Sequence, residues 1–110
     1  MPTKKGQLER QIVAVLKGDE QSRNSDIRLT QMIWYTFYRS HLKEVDGEYY
    51  VRMKSMYDIP REDNIKRIRA KIQNVEHRYV PTDPKVALKR GFDNVTEWRE
   101  YLGYPTGDTL

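Results

Sequence analysis

The residues whose types and spacing could do chemistry are concentrated in one stretch and are cationic or amide: Arg61, Lys66, Arg67, Arg69, Lys71, Gln73 and Asn74, with the small Ala70 among them. Their chemistry is recognition. Guanidinium and ammonium groups meet phosphates, Arg, Lys, Gln and Asn also reach base edges, and a small residue lets a helix backbone approach a groove. At about 100° per residue, Lys66, Arg67, Ala70, Gln73 and Asn74 share an outward face with Asp63, while Arg69 and Lys71 flank it. Ile65, Ile68, Ile72 and Val75 form the opposite, apolar stripe. The same pattern also fits an ordinary solvated helix face in which Asp63 and Arg67 are an i,i+4 pair.

Catalytic patterns are thin. No phosphate loop, GxGxxG, nucleophile elbow or HExxH pair occurs, and there are two histidines and no cysteine. His41 and His77 read as surface or structural residues, and no metal site or cofactor is expected. Asp83-Pro84-Lys85 mimics the acid-x-Lys pair of metal-dependent nucleases, but Pro84 reads as a helix start rather than a strand. The expectation is a protein that is not an enzyme.

The elements that must position these residues follow from periodicity and breakers. Pro60 suits a first helical turn, with Glu62 and Asp63 at the positive end of the dipole, so a basic helix is expected over 61–76. Before it, Leu8, Ile12, Val15 and Leu16 mark a helix stopped by Gly18, broadened by Val13. Asn24 or Ser25 can cap the next, with Asp26 in its first turn. That helix reads from Ile27 to Leu42, with Ile27, Ile33, Trp34, Phe37, Tyr38 and Leu42 supplying its apolar contacts.

Residues 43–58 are ambiguous. Asp46-Gly47 is a hairpin turn and Tyr49, Val51 and Met53 alternate like a strand, but Tyr49, Met53 and Met56 also share a helical face. The helix is the preferred reading. It would make 48–76 a helix-turn-helix-like unit whose second, basic helix enters a groove. Thr82 then caps a helix containing Pro84 and ending at Gly91. A last helix carries Phe92, Val95, Trp98, Tyr101 and Leu102 and closes at Gly103. The expected fold is a single, mainly α domain over 1–110 with five to six helices, a β-hairpin near 43–53 as the alternative local structure, and frayed segments at 1–6 and 104–110.

With 110 residues of which 37% are hydrophobic, the chain has enough apolar material for one core and little to spare. No apolar run suits a membrane span or a signal peptide, so a cytoplasmic protein is expected. The net charge of +4 is unevenly spread: +2 over 1–24, 0 over 25–60, +3 over 61–78 and −1 over 79–110. That focus favours a polyanionic partner, although one helix offers few phosphate contacts.

Three blocks carry a resemblance: Arg23-Asn24-Ser25-Asp26, the run from Asn64 to Asn74, and Tyr79 to Val86 followed by Lys89-Arg90-Gly91. Together they resemble a family of small phage-encoded proteins of no settled function. In that family the basic helix opens with Ser and Glu before an Ile-Arg-Arg core, whereas this chain has Arg61-Glu62-Asp63-Asn64-Ile65-Lys66-Arg67. The resemblance implies phage or prophage origin and raises the expectation of a DNA transaction.

The leading expectation is therefore a phage-type protein that binds duplex DNA through helix 61–76, as a regulator or accessory of replication or recombination. The rival is a module that binds and modulates a host or phage protein, such as a host-defence inhibitor. Its support is eight tyrosines and two tryptophans, with Tyr35, Tyr49, Tyr57, Tyr79 and Tyr104 least committed to packing. A monomer or a homodimer is expected. For a dimer, the face of Phe92, Val95, Trp98, Tyr101 and Leu102 would be the interface; in a monomer it completes the core.

Overall fold

The computed structural model describes residues 4–92 and 94–103, so the expected tails fall mostly outside the described residues, and 4–6 are already helical. The chain is mainly helical. Among the described residues five α-helices occur, α1 (Lys4–Gly18), α2 (Asp26–Phe37), α3 (Glu62–Ala70), α4 (Pro84–Lys89) and α5 (Val95–Leu102). A two-stranded antiparallel hairpin, β1 (Leu42–Val45) and β2 (Glu48–Val51), stands between α2 and α3. No helix among the described residues is long and apolar enough to cross a membrane.

The apolar periods of α1, α2 and α3 converge on one core of Ile12, Val15, Leu16, Leu29, Ile33, Ile65, Ile68 and Ile72. Each helix supplies residues three or four apart, which is what places them on one face. The carbonyls left open at the end of α1 are met locally: Arg23 donates from Nε to the Leu16 carbonyl at 2.7 Å and from Nη2 to that of Lys17 at 3.4 Å. Ser25 is the cap of α2, its side chain accepting from the Arg28 N–H. Helix α2 ends at Phe37 rather than Leu42, and Ile27 and Phe37 point outward. The buried face of α2 is thus narrower than periodicity suggested, because Leu29 and Ile33 set it.

The preferred helix over 48–58 is not formed. Asp46 and Gly47 take positive φ values of 52° and 83°, the pair of left-handed residues that a tight two-residue hairpin turn requires. The strands follow from that turn, with Lys43 opposite Tyr50 and Val45 opposite Glu48. Met53–Ser55 is a single 3₁₀ turn. The first helix of the expected helix-turn-helix unit is therefore replaced by a hairpin. Nor does Pro60 enter α3: it precedes the helix, and its carbonyl accepts the Trp34 indole N–H at 2.8 Å. Arg61 occupies the cap position of α3 and gives it no side-chain cap.

After Ala70 the helix widens into a π-helical segment, Lys71–Val75, with the Glu76 N–H bonding back to the Lys71 carbonyl. An extra residue in the turn retards every later side chain around the axis. Val75, expected on the apolar stripe, is consequently 71% exposed, and Gln73, expected outside, is 0% exposed.

A second, separate cluster consists of Val80, Ala87 and Trp98, with Phe92, Tyr101 and Leu102 against it. Of the C-terminal apolar face, Phe92, Trp98, Tyr101 and Leu102 pack here while Val95 is exposed, and Trp98 Nε1 donates to the Pro81 carbonyl at 2.7 Å. Asp83, not Thr82, caps α4. Gly103 closes α5 in the left-handed conformation, φ 84°.

Polar side chains latch α3 to the start of α2 and join the two clusters. Arg69 holds Asp26 through two bonds of 2.8 Å, Nε to Oδ1 and Nη2 to Oδ2. Gln73 donates to the carbonyls of Arg23 and Tyr79, and Arg90 donates to the Arg23 carbonyl and to Gln73 Oε1. Asn24 Oδ1 accepts the N–H groups of Thr82 and Asp83, and Asn74 donates to the Arg90 carbonyl. These residues come from Arg23–Asp26, the run from Asn64 to Asn74, and Tyr79 to Gly91, so much of the polar chemistry in these stretches serves internal contacts.

Burial raises the Asp26 carboxyl, but the hydrogen bond from Arg69 and the charges of Arg69, Arg90 and Lys66 outweigh it and leave its pKa lowered. For a carboxylate depressed on folding, the stabilisation is complete above the unfolded-state value near 4 and fades as pH falls through the lower folded-state value. Urea unfolding of wild type and Asp26→Asn should therefore show a wild-type advantage at neutral pH that shrinks in acid. A gap constant from pH 7 down to pH 2 would contradict this ion pair.

Candidate interaction surface

The residues first considered for groove recognition divide into two sets. Arg69 is 4% exposed and Gln73 0%, and both are spent on the latch, so neither reaches a groove. Asn74 is exposed but tied to the Arg90 carbonyl at 2.7 Å, and Ala70 is half-buried. Arg61, Lys66, Arg67 and Lys71 remain on the outside. Of these, Arg67 donates to Asn64 Oδ1 at 2.6 Å, and Lys71 lies 4.0 Å from Glu9 and 3.9 Å from Glu76. Exposed Glu62 and Asp63 stand in the first turn of the same helix. The outer face of α3 is mixed in sign, and the positive excess of 61–78 is partly drawn inward through Arg69.

The apolar surface lies on the other side of the α3 entrance. Where α2, β2 and the chain leading into α3 meet, a cleft of about 330 Å³ is lined by Trp34, Val51, Met56, Tyr57, Ile59, Pro60, Arg61 and Glu62. Its geometry has local causes. The Trp34 indole, fixed by its bond to the Pro60 carbonyl, ties the segment before α3 to α2. Trp34 also packs against the main core. The hairpin brings Val51 to the rim, and the 3₁₀ turn and the residues after it leave Met53, Met56 and Tyr57 exposed. Tyr57 is 91% exposed and Met53 85%.

The aromatic surface continues along β2 and α2. Tyr49 lies on the same strand face as Val51, and its ring meets that of Tyr35 edge to face at 5.2 Å. Arg39 stacks over Tyr35, its guanidinium carbon 3.9 Å from the ring centre. Hydrogen bonding with Tyr35, and then with Glu44, pushes the Tyr49 hydroxyl up to about 12. The set joins large exposed rings, flexible thioethers and an arginine around a cleft, the composition that concentrates binding energy at protein interfaces.

Three of the five tyrosines that lacked a core role in the sequence, Tyr35, Tyr49 and Tyr57, lie on or beside this surface. Tyr79 packs against the main core, and Tyr104 is outside the described residues. Met53, Met56 and Trp34 were not picked out. The signal for the methionines was readable, since Met53 and Met56 have no apolar partner at helical spacing once Asp46-Gly47 is accepted as a hairpin turn. Of the histidines, His41 shares a 2.8 Å hydrogen bond with Ser55 and His77 stacks on Tyr101 at 4.1 Å. No group of acidic and histidine side chains suited to a metal ion occurs among the described residues.

Compared with known protein families, curated proteins and solved structures, the chain gives no match.

Proposed function

We propose that this chain is a protein-interaction module, of phage origin as its three blocks suggest, that docks a bacterial host or phage protein on the cleft floored by Trp34. The observation that carries the reading is the exposure of Met53, Met56 and Tyr57 beside an apolar cleft. A chain with little apolar material to spare leaves three large side chains in water at one place, and such a patch marks a contact site. An anchor side chain of the partner would enter between Trp34 and Tyr57, with Arg61 and Glu62 as a charged rim. Duplex DNA, the leading expectation from sequence, is less well supported because two of its eight candidate contacts are buried.

Affinity capture from nuclease-treated bacterial lysate separates the two readings. Wild type and Lys66→Ala/Arg67→Ala should retain the same stoichiometric protein, and Met56→Ala/Tyr57→Ala should lose it, each truncated anchor costing about 2 kcal/mol or some thirty-fold. Gel shifts complete the comparison. Duplex binding by wild type that Lys66→Ala/Arg67→Ala abolishes and Met56→Ala/Tyr57→Ala preserves would overturn the proposal.

A further inference from the structure

The hairpin is a sheet of two four-residue strands, and all but Leu42 and Val51 are exposed. An isolated pair of this size is marginal in water, and its outer edges remain open to further pairing. The two edges differ in what they present.

The hydrogen-bonding phase of β2 follows from one contact, the Arg52 N–H donating to the His41 carbonyl at 3.0 Å. Bonded and non-bonded pairs alternate in an antiparallel ladder, so Tyr50 and Glu48 turn their backbone groups toward β1. Tyr49 and Val51 turn theirs outward. The free edge of β2 thus offers the N–H and C=O groups of Tyr49 and Val51, on a strand with no proline and no lysine.

We infer that this edge pairs with the β2 edge of a second copy of the chain, giving a symmetric four-stranded antiparallel sheet centred on Tyr50. A two-fold axis perpendicular to the sheet sets Tyr50 against its own symmetry mate in a non-bonded pair. Tyr49 and Val51 then face each other across the axis and exchange four backbone hydrogen bonds in all. Glu48 falls opposite Arg52 of the other copy, twice. Charge complementarity selects both the edge and the register. On the β1 edge, an axis between like strands would oppose Lys43 to Lys43 or Glu44 to Glu44, and like charges directly opposite repel. On β2 the same symmetry pairs opposite charges around an aromatic contact. Glu48 is already held on this face by the Tyr50 hydroxyl, which donates to it at 2.8 Å. The inference does not rest on the docking proposal: it takes only backbone groups from Tyr49 and Val51, whose side chains face the cleft side, and its side-chain pairs, Glu48, Tyr50 and Arg52, lie on the opposite strand face.

Sedimentation over a concentration series reaching the high-micromolar range, with charge reversal, tests it. Wild type should dimerise, Glu48→Arg and Arg52→Glu should each weaken the dimer on the order of ten-fold, and the combined Glu48→Arg/Arg52→Glu should restore it. The chain has no cysteine, so Tyr50→Cys gives an independent readout: with oxidised glutathione it should form a disulfide-linked dimer faster than a Lys43→Cys control. A wild type that stays monomeric throughout, with Tyr50→Cys no faster than that control, would overturn the inference. So would a dimer indifferent to both charge reversals.

Discussion

Arg69→Ala should destabilise the protein by about 3 kcal/mol, the lower end of what removing one member of a buried ion pair costs. The side chains of Arg69 and Asp26 are 5% and 17% exposed and meet through two parallel bonds of 2.8 Å. Without Arg69, the nearest remaining cation to the Asp26 carboxylate is Arg90, at 3.8 Å. Burial and the Arg69 charge already lower the Arg90 pKa, with Asp26 opposing, so the three groups are balanced as a set. On the same helical segment Lys71→Ala should change stability by no more than about 0.5 kcal/mol, because its ion pairs are long and exposed. Chemical denaturation of these two variants and of Asp26→Leu/Arg69→Met checks the origin of the effect. The double apolar replacement should cost clearly less than Arg69→Ala, since it leaves no charge unpaired. Equal losses for Arg69→Ala and Lys71→Ala would mean that Arg69 is not a latch.

Trp98→Ala should cost about 3 to 5 kcal/mol and should act locally. Trp98 is the largest member of a cluster that shares no buried residue with the main core, and its indole also loses the bond to the Pro81 carbonyl. Hydrogen exchange should show α4 and α5 losing protection while α1, α2 and α3 keep theirs. Val95→Ala, at an outward position on the same helix, should leave both regions unchanged. If Trp98→Ala instead opens all five helices together, the two clusters form one cooperative unit and the polar latch is stronger than its parts suggest.

The helical class, the core stripe of Ile65, Ile68 and Ile72, the ends of α1 and α5 and a cap of α2 at Asn24 or Ser25 were all legible in the chain. Local signals settle these features: apolar residues at three-and-four spacing, a cap before an acidic first turn, glycine after the last turn. What sequence reading missed arose where a local pattern met a tertiary constraint. Periodicity put Gln73 outside and Val75 inside, but it assumes a constant helical pitch, and the π-helical segment at 71–75 breaks that assumption. Arg69 looked like a flank cation because nothing near it in sequence shows that Asp26 waits 43 residues away. Tyr49, Met53 and Met56 satisfied a helical period by coincidence, and the Asp46-Gly47 turn outweighed it.

The candidate surface was half legible. Tyr35, Tyr49 and Tyr57 stood out for having no core role, whereas the cleft that Tyr57 lines depends on the Trp34 bond to the Pro60 carbonyl, a contact across 26 residues. The basic stretch drew attention because its cations are contiguous in sequence. Folding turned Arg69 inward, and set Lys71 between two glutamates.

The docking proposal is tested most directly by site-specific photo-crosslinking in a bacterial host, with p-benzoylphenylalanine in place of Tyr57 in one variant and of Lys66 in another. The Tyr57 position should crosslink to one discrete protein, and the Lys66 position to neither that protein nor nucleic acid. Crosslinking of the Lys66 position to DNA, with the Tyr57 position silent, would contradict it.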